Sequence, residues 1–557
     1  MDKTLVYNFL LEDMEINDKI FPLIDNTITT FGSTELKTSL RYITTNSAED
    51  LAMIVKYIHD NDKYRGTLEK LLRLIRKHND IVQKWIFFPR DHDMEFFMGL
   101  TYKVKIGDTQ YDLFNNPVTL TISNMFRFST VVFQIIFYIV MYRMMKYLGN
   151  DMTVREYLWS LVVGYYTSAT FFLSFFTSNN TAVDYLAKGL ATLNVCYTLY
   201  SIYKSVVDCM DHYSKCEEFK RDYGKISRVI NACNEIFIHD EFKNILYTKT
   251  ELTNITNSFK KLRTHFNNNH ILGEMIVETI NFAEFKKELS TVLAYAGKTD
   301  ALISNSKLLD MGYSTPLADI DSVKPYINVV NLFNPLLDYD KQTNNDVTLG
   351  LNEHKTMIIT GPNKAGKSTF MRSLILSIYL AQSLGVTCAE SLQYTPFVKI
   401  FTYLNVPDSI GKESLFEAEL ERCYEYYNTV KSTEGSNNKI IGFMDELFTG
   451  TNYLEGMSGS YAIIKKISEN PNSMTIVTTH FHEICNIPNI TYTKFYANEK
   501  DKSKLKQGES QYDFTYKIKK GISDQCIALN LLQERGYGAD VINLAVDKLN
   551  EVKKVDK

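Results

Sequence analysis

The segment that most constrains this chain is Gly361–Ser368, which has the pattern G-x-x-x-x-G-K-S. It follows a β-branched apolar run, Met357–Thr360, and precedes a run with helical periodicity. This order predicts a phosphate-binding loop, because turn N–H groups and the N-terminal end of a helix together attract anions. Lys367 would then reach the β- and γ-phosphates of a nucleotide, and the Ser368 hydroxyl would bind Mg²⁺. A glycine-rich turn that fits the spacing by coincidence is the alternative.

Two further motifs follow in a region where strands alternate with helices, a pattern typical of a parallel sheet. The apolar run KIIGFMDE ends in Asp445 and Glu446. Asp445 would hold the Mg²⁺ shell, and Glu446 would polarise the attacking water as general base. Thr475–Thr479 is another strand, and His480 at its carboxyl end could contact the γ-phosphate or sense its loss. A surface histidine in a loop is the alternative for His480.

Length and composition bound the remaining possibilities. The 557 residues predict three or four domains, and 45% hydrophobic with 23% charged residues is typical of a folded chain. A net charge of −4 provides no overall basic field, so a DNA-binding surface would have to be local. The eight cysteines include no C-x-x-C pair, and the N-terminus carries no secretory signal. We therefore expect reduced thiols, no zinc and an intracellular location, in the nucleus or the cytoplasm.

Residues 1–320 are predicted to be mostly helical. Apolar residues at three- and four-residue spacing indicate the first part of a helical core over residues 1–125 and lever helices that return to this core over 206–320. Lys260, Lys261 and Arg263 could contact a phosphate backbone, although a solvated helix face explains them more simply.

Residues 126–205 form a hydrophobic insertion with two possible interpretations. Phe128–Tyr142, Tyr157–Val183 and Gly189–Tyr203 contain no charged residue. The second run is long enough to span a bilayer, whereas the first is shorter than a spanning helix requires. The insertion is either a membrane hairpin, which would make the protein membrane-associated, or a bundle of buried helices.

Several segments of this chain resemble the MutS mismatch-repair family. The glycine-rich loop and three later motifs match in order: GPNKAGKSTFMR (361–372), DSIGKESLFEAE (408–419), MDELFTGTN (444–452) and TTHFHE (478–483). Residues 520–545 are similar to the family's C-terminal helix-turn-helix, so we expect a dimer clasp at about 520–557. The resemblance is strong over about 326–552 and faint elsewhere.

The resemblance implies a mixed fold, with a mostly α-helical core and lever region followed by an α/β P-loop ATPase domain of the ABC-like MutS type over 321–557. It implies an ATP hydrolase with ATP and Mg²⁺ as cofactors, and a homodimer or a dimer with a close paralogue. Ser414 would be presented in trans to the γ-phosphate bound by the other subunit, and Asn363 would approach the same phosphate. The nucleotide-binding residues would be Gly361, Pro362, Asn363, Lys364, Ala365, Gly366, Lys367, Ser368, Thr369 and Asp445, joined by Ser414 of the other subunit. Glu446, Lys367 and His480 would be catalytic, and Ser368 and Asp445 would bind Mg²⁺.

The chain also departs from the family pattern. We find no N-terminal Phe-x-Glu element of the kind that wedges beside a mismatched base, and the chain is expected to begin at the helical core. Thr449 falls where the family usually has an arginine after the acidic pair, and Thr343 falls where relatives often place an aromatic residue against adenine. Mismatch reading therefore does not follow from this sequence.

Two functions remain open. The first is a DNA-acting ATPase, related to mismatch repair or recombination, in which ATP switches a helical clamp. The second is a mechanical ATPase whose clamp is replaced by residues 126–205, acting on a membrane or a protein partner. An ABC transporter subunit is disfavoured, because the Ser-Gly-Gly signature of that class is absent.

Overall fold

The computed structural model describes residues 3–86, 104–106, 109–111, 116–149, 153–173, 180–266, 270–280, 282–338, 340, 342–351, 354–404, 406, 415–500, 512–523, 525, 532 and 535–555. The chain divides into two compact units. The first contains Met1–Arg76, Glu235–Thr253 and Leu293–Lys557, and the second contains Lys77–Asn234 and Asn254–Val292.

The described strands are β1 (Thr4–Leu5), β2 (Tyr42–Ile43), β3 (Val104–Ile106), β4 (Thr109–Tyr111), β5 (Leu317–Ala318), β6 (Ile327–Leu332), β7 (Asn345–Leu349), β8 (Thr356–Thr360), β9 (Ser391–Tyr394), β10 (Lys399–Tyr403), β11 (Ile440–Asp445), β12 (Ser473–Thr478), β13 (Thr491–Glu499) and β14 (Tyr512–Lys520).

The described helices are α1 (Asn8–Asp13), α2 (Phe21–Ile24), α3 (Thr30–Ser39), α4 (Ala48–Asp60), α5 (Asp62–Lys77), α6 (Asn79–Ile86), α7 (Pro117–Tyr147), α8 (Val154–Leu173), α9 (Asn180–His239), α10 (Lys243–Leu246), α11 (Lys249–His265), α12 (Leu272–Ile280), α13 (Phe282–Asp310), α14 (Lys367–Leu384), α15 (Leu415–Ser432), α16 (Tyr453–Glu469) and α17 (Ala539–Val555). A π-helical turn, Ile16–Ile20, precedes α2, and a 3₁₀ turn, His482–Ile484, follows β12.

A six-stranded sheet organises the first unit, with the strand order β10-β11-β12-β8-β13-β14. The first five strands are parallel and β14 is antiparallel to β13. All five residues of β8 are buried, which fits their apolar and β-branched composition and the central position of the strand. Because β8, β11 and β12 are parallel, their carboxyl ends meet at one edge of the sheet.

A smaller sheet with the strand order β5-β9-β6-β7 belongs to the same unit. Its strand β7 is an edge strand and pairs antiparallel with β6. The N-terminal segment also packs on this unit: Tyr7 and Phe9 are stacked on each other, and both rings meet the ring of Phe401 in β10 edge to face.

The secondary-structure predictions for the strand-rich region are confirmed. The strands predicted at 357–360, in KIIGFMDE and at 475–479 are β8, β11 and β12. The helical run predicted after the glycine-rich loop is α14. The mixed helical and α/β fold class is therefore correct. The predicted domain boundaries, including the clasp at 520–557, stay predictions.

The second unit is mostly helical, with one two-stranded sheet of β3 and β4, and its elements pack closely in places. The backbone N–H of Gly273 at the start of α12 donates to the Thr121 hydroxyl of α7, over 2.8 Å. A Cβ at Gly273 would lie 1.8 Å from the carbonyl oxygen of Pro117, so only glycine permits this approach. Lys260, Lys261 and Arg263 are exposed on α11, and Lys261 donates to Glu288 over 2.8 Å. The solvated-face interpretation of these three cations fits this geometry.

The membrane hairpin predicted for residues 126–205 finds no support, and the exposed side chains described below do not support the buried bundle either. Across the part of the chain that the structure describes, no helix has a stretch that is both long enough and apolar enough to cross a bilayer. Serine, threonine and tyrosine dilute the apolar runs. Phe133, Trp159 and Tyr197 are each at least 60% exposed, so these three apolar side chains of α7, α8 and α9 are not buried in this chain.

Candidate functional site

The glycine-rich loop connects the central strand β8 to the helix α14. Gly361 has a φ of +145° and Gly366 a φ of +102°, values that disfavour other residues. A Cβ at Gly361 would lie 2.7 Å from the Phe495 carbonyl oxygen, and one at Gly366 would lie 3.2 Å from Cδ1 of Tyr516. Glycine is therefore needed at both positions by conformation and by space, as the loop motif predicts.

Lys367 is the first residue of α14, and only 5% of it is exposed. Its Nζ donates to the carbonyl oxygens of Gly361, over 2.9 Å, and Pro362, over 3.3 Å. Burial lowers the pKa of this amine, while the nearby carboxylates of Glu446 and Asp445 act in the opposite direction. The amine thus lies within the loop, where a phosphate would meet it.

The acidic pair lies at the carboxyl end of β11. The Thr478 hydroxyl donates to Oδ1 of Asp445, which fixes this carboxylate against the neighbouring strand β12. The backbone N–H of Glu446 donates to the Thr478 carbonyl oxygen over 3.1 Å. Glu446 has a φ of +54°, a left-handed conformation that non-glycine residues rarely adopt and that turns the chain at this point.

His480 lies between the lysine and the glutamate. Its Nε2 is 2.9 Å from Oε1 of Glu446 and 3.4 Å from Nζ of Lys367. One ring nitrogen can donate to the carboxylate or accept from the amine, but not both at once. The hydrogen bond from His480 is the largest cause that lowers the pKa of Glu446, which keeps this carboxylate ionised.

These residues border a cleft of about 470 Å³. Its lining includes every residue from Pro362 to Phe370 together with Glu446. The lining also includes Thr343 and two aromatic side chains, Phe495 and Tyr516. The cleft is large enough for a small polyanion with an attached planar group.

The structure brings most of the predicted site residues together. Pro362, Asn363, Lys364, Ala365, Gly366, Lys367, Ser368, Thr369 and Glu446 line the cleft, Gly361 begins the loop, and Asp445 and His480 contact Thr478 and Glu446. Oxygen ligands such as the Ser368 hydroxyl and the Asp445 carboxylate suit Mg²⁺. Ser414, predicted to act in trans, lies outside the described residues.

The end of the motif that contains Ser414 is described. Glu419 in α15 is buried and accepts from the Thr449 hydroxyl and from the backbone N–H of Gly450, each over 3.2 Å. The segment that follows the acidic pair is thereby tied to the helix that follows Ser414.

Sequence reasoning missed Tyr516 and gave Asn345 no role in the site. The alternation in YDFTYKIKK predicts a strand, but nothing in it indicates which side chain reaches the loop. Tyr516 lies at a distorted part of β14, and Asn345 contacts this part from β7. The only available signal was that Tyr516 is an aromatic residue in the predicted strand that forms the edge of the sheet.

A strand, a glycine-rich turn with a buried lysine and an acidic strand end thus meet at one cleft of an α/β domain. Residues 357–553 match MutS domain V. This match and the relatives that follow support membership of the MutS family.

Relatives with established names match part of this chain. The DNA mismatch repair protein MutS of Clostridium tetani is 31% identical over 214 residues, which are 38% of this chain and 23% of that protein. The DNA mismatch repair protein MSH3 of Candida glabrata is 26% identical over 273 residues, 48% of this chain and 26% of the relative. The DNA mismatch repair protein MSH2 of Saccharomyces cerevisiae is 26% identical over 321 residues, which are 55% of this chain and 32% of that protein. The chain thus spans no more than a third of the length of these relatives.

Proposed function

We propose that this protein is an Mg²⁺-dependent ATPase whose nucleotide site is the cleft around Lys367. The observation that carries the proposal is the meeting of Lys367, Glu446 and His480 beside a glycine-rich loop. A buried amine, a carboxylate kept ionised and a bridging imidazole are the groups that phosphate binding and water activation require. The match to MutS domain V supports the same activity.

Each residue has a defined role in this proposal. The N–H groups of the loop and the Lys367 amine bind the β- and γ-phosphates. Ser368 and Asp445 hold Mg²⁺, which neutralises phosphate charge when bound. Glu446 accepts a proton from the attacking water, and His480 orients the Glu446 carboxylate.

The aromatic side of the cleft binds the base. Tyr516 lies beside Gly366 and is 46% exposed, so its ring has a free face on which a planar base can stack. This ring compensates for Thr343, which occupies the position where an aromatic residue was expected from the family pattern.

We further propose that the active form is a dimer with composite sites, in which Ser414 of each subunit completes the site of the other. ATP would then bridge two subunits, and hydrolysis would release them. The tie between Glu419 and Gly450 supports this proposal, because it joins the helix after Ser414 to the segment after the general base.

DNA is the substrate that the relatives' names favour, since all three are named as DNA mismatch repair proteins. Mismatch reading is not part of the proposal. The proposed function is an ATP-driven switch that acts on DNA.

The test has two independent parts. Mg²⁺-dependent ATP hydrolysis by the wild type tests the enzyme, and its absence would contradict the ATPase. Binding to homoduplex, mismatched and branched DNA at physiological salt, with and without ATP, tests the substrate. Nucleotide-sensitive binding supports a DNA clamp. Hydrolysis without binding to any of the three DNAs would reject the DNA substrate and leave the ATPase.

A further inference from the structure

The strands β7 and β14 are edge strands of two different sheets in the first unit. They do not pair through their backbones, although edge strands present unpaired N–H and C=O groups. The Asn345 side chain, at the start of β7, makes the connection instead. Its Nδ2 donates to the Tyr516 carbonyl oxygen over 3.0 Å, and its Oδ1 accepts from the Ile518 N–H over 2.9 Å.

This pair of hydrogen bonds has the pattern that a residue of a parallel strand makes with its neighbouring strand. In a parallel ladder, one residue donates to the residue before its partner and accepts from the residue after it. The Asn345 amide does the same around Lys517, with Tyr516 before and Ile518 after. The partners also fix the orientation of the amide, because a carbonyl oxygen needs a donor and an N–H needs an acceptor.

The connection falls where β14 is least regular. Phe495 pairs with Ile518 and Ala497 pairs with Phe514, so Thr515–Lys517 lie opposite Tyr496 alone. Tyr516, in the middle of this bulge, has a φ of +52°. A bulge redirects side chains, but the β13 ladder does not fix its position. The Asn345 amide supplies the missing hydrogen bonds on the other side of β14.

The same amide also contacts the segment before β7 that contains Thr343, a residue of the cleft lining. Its Nδ2 also donates to the Thr343 carbonyl oxygen over 3.2 Å. The Lys517 amine donates to the neighbouring Asn344 carbonyl oxygen. Asn345 is buried, so water does not replace these bonds at low cost. The Asn345 side chain therefore joins two parts of the cleft lining that lie outside the phosphate loop. One part contains Thr343 and the other contains Tyr516.

We propose that Asn345 is a positioning residue that sets the width of the base slot by holding Tyr516 at its distance from Thr343. The inference rests on the proposed nucleotide site and extends it by naming a residue that determines how specifically the site binds the base. Asn345 acts through Tyr516 and leaves the phosphate loop unaffected, because its hydrogen bonds go to the base side of the cleft.

The test compares a ligand that has a base with one that has none. Calorimetric titration with ATP and with inorganic tripolyphosphate, both with Mg²⁺, is made on the wild type and on Asn345→Ala. We expect the affinity of Asn345→Ala for ATP to fall about tenfold and its affinity for tripolyphosphate to stay the same. A fold defect would weaken both ligands, so equal losses would overturn the inference.

A double-mutant cycle tests whether Asn345 acts through the ring. Tyr516→Leu should show the same selective loss of ATP affinity, and adding Asn345→Ala to it should cost little more. Fully additive losses would overturn the positioning role. If Asn345→Ala does not fold, Asn345→Asp replaces it, since the carboxylate keeps the acceptor for Ile518 and removes both donated hydrogen bonds.

The matched control is Asn328→Ala. It removes a side-chain hydrogen bond of 2.8 Å between Thr348 and Asn328, on β7 and β6 of the same sheet and outside the cleft lining. Its affinities for both ligands should equal those of the wild type. A wild type that binds neither ligand overturns the proposed function together with this inference, whereas wild-type binding with unchanged Asn345→Ala overturns the inference alone.

Discussion

Nε2 of His480 lies 2.9 Å from Oε1 of Glu446, which joins the end of β12 to the end of β11 by a side-chain contact. The same nitrogen is 3.4 Å from the amine of Lys367. This nitrogen can donate to the carboxylate or accept from the amine, depending on the tautomer. In the proposed mechanism, His480 would therefore orient Glu446 as well as contact phosphate.

The pH dependence of hydrolysis should therefore change in His480→Ala. The hydrogen bond from His480 holds the pKa of Glu446 below its ordinary value, so its loss raises this pKa. The base must be ionised, and a higher pKa means that it protonates sooner as the pH falls. The acidic limb of the kcat/KM profile should move to higher pH, with a rate loss of about tenfold at neutral pH. An acidic limb that stays in place would show that His480 does not act on Glu446.

Glu446→Gln separates binding from chemistry. The amide has the size of the carboxylate but cannot accept a proton, so we expect hydrolysis to fall by at least about a hundredfold. The affinity for ATP should stay within about threefold, because the phosphate contacts come from the loop. Single-turnover hydrolysis and calorimetric binding measure the two effects. Lys367→Ala, in contrast, should abolish ATP binding. Full hydrolysis by Glu446→Gln would refute the assignment of Glu446 as the general base.

The phosphate side of the site was predictable because its geometry is local. Gly361, Gly366, Lys367 and the strand before them form one continuous segment, and the left-handed φ values at both glycines follow from the motif. The placement of Glu446 and His480 beside it follows from parallel strand ends that meet at one edge.

The base side was not predictable for the opposite reason. Tyr516 reaches the cleft only because β14 bulges against β13, and the bulge depends on the pairing of strands that are joined by a long connection. Asn345 is an ordinary polar residue until β7 and β14 are brought side by side. The apolar runs of residues 126–205 misled for another reason, since their composition predicts burial but does not say whether neighbouring helices cover them.

Gly366→Ala should disable the site through conformation and contact together. The new Cβ would impose strain at a φ of +102° and would lie 3.2 Å from the ring of Tyr516. We expect ATP affinity to fall more than about tenfold, and the free energy of unfolding to fall by about 1 kcal/mol. Titration with ATP and thermal unfolding measure the two.

Gly435→Ala is the control for that change. Gly435 has a similar left-handed φ of +74°, and a Cβ there would meet nothing within 4 Å. It should lose comparable stability and keep its ATP affinity. Equal loss of ATP affinity in both variants would mean that strain alone, and not the cleft, explains the effect.

Asp13 connects three elements of the first unit. Its buried carboxylate accepts from Nη1 of Arg422 on α15, over 3.1 Å, and from the Thr402 hydroxyl on β10, over 2.8 Å. Its backbone carbonyl oxygen accepts from Nη1 of Arg372 on α14, over 2.8 Å. The N-terminal segment thereby ties the helix of the phosphate loop to the helix that follows Ser414.

Asp13→Ala should therefore destabilise the first unit by about 3 kcal/mol, because it leaves the guanidinium of Arg422 partly buried without its carboxylate. Chemical denaturation measures the loss. Adding Arg422→Met should recover about half of the lost stability, because the cost comes from the unpaired charge. The guanidinium of Arg422 lies over the ring of Phe9 at 4.8 Å, and a methionine can still pack against this ring. Lys466→Ala, which removes an exposed ion pair with Glu469, should leave the denaturation midpoint unchanged. If the double variant is as unstable as the sum of its two single changes, the buried ion pair is not the cause.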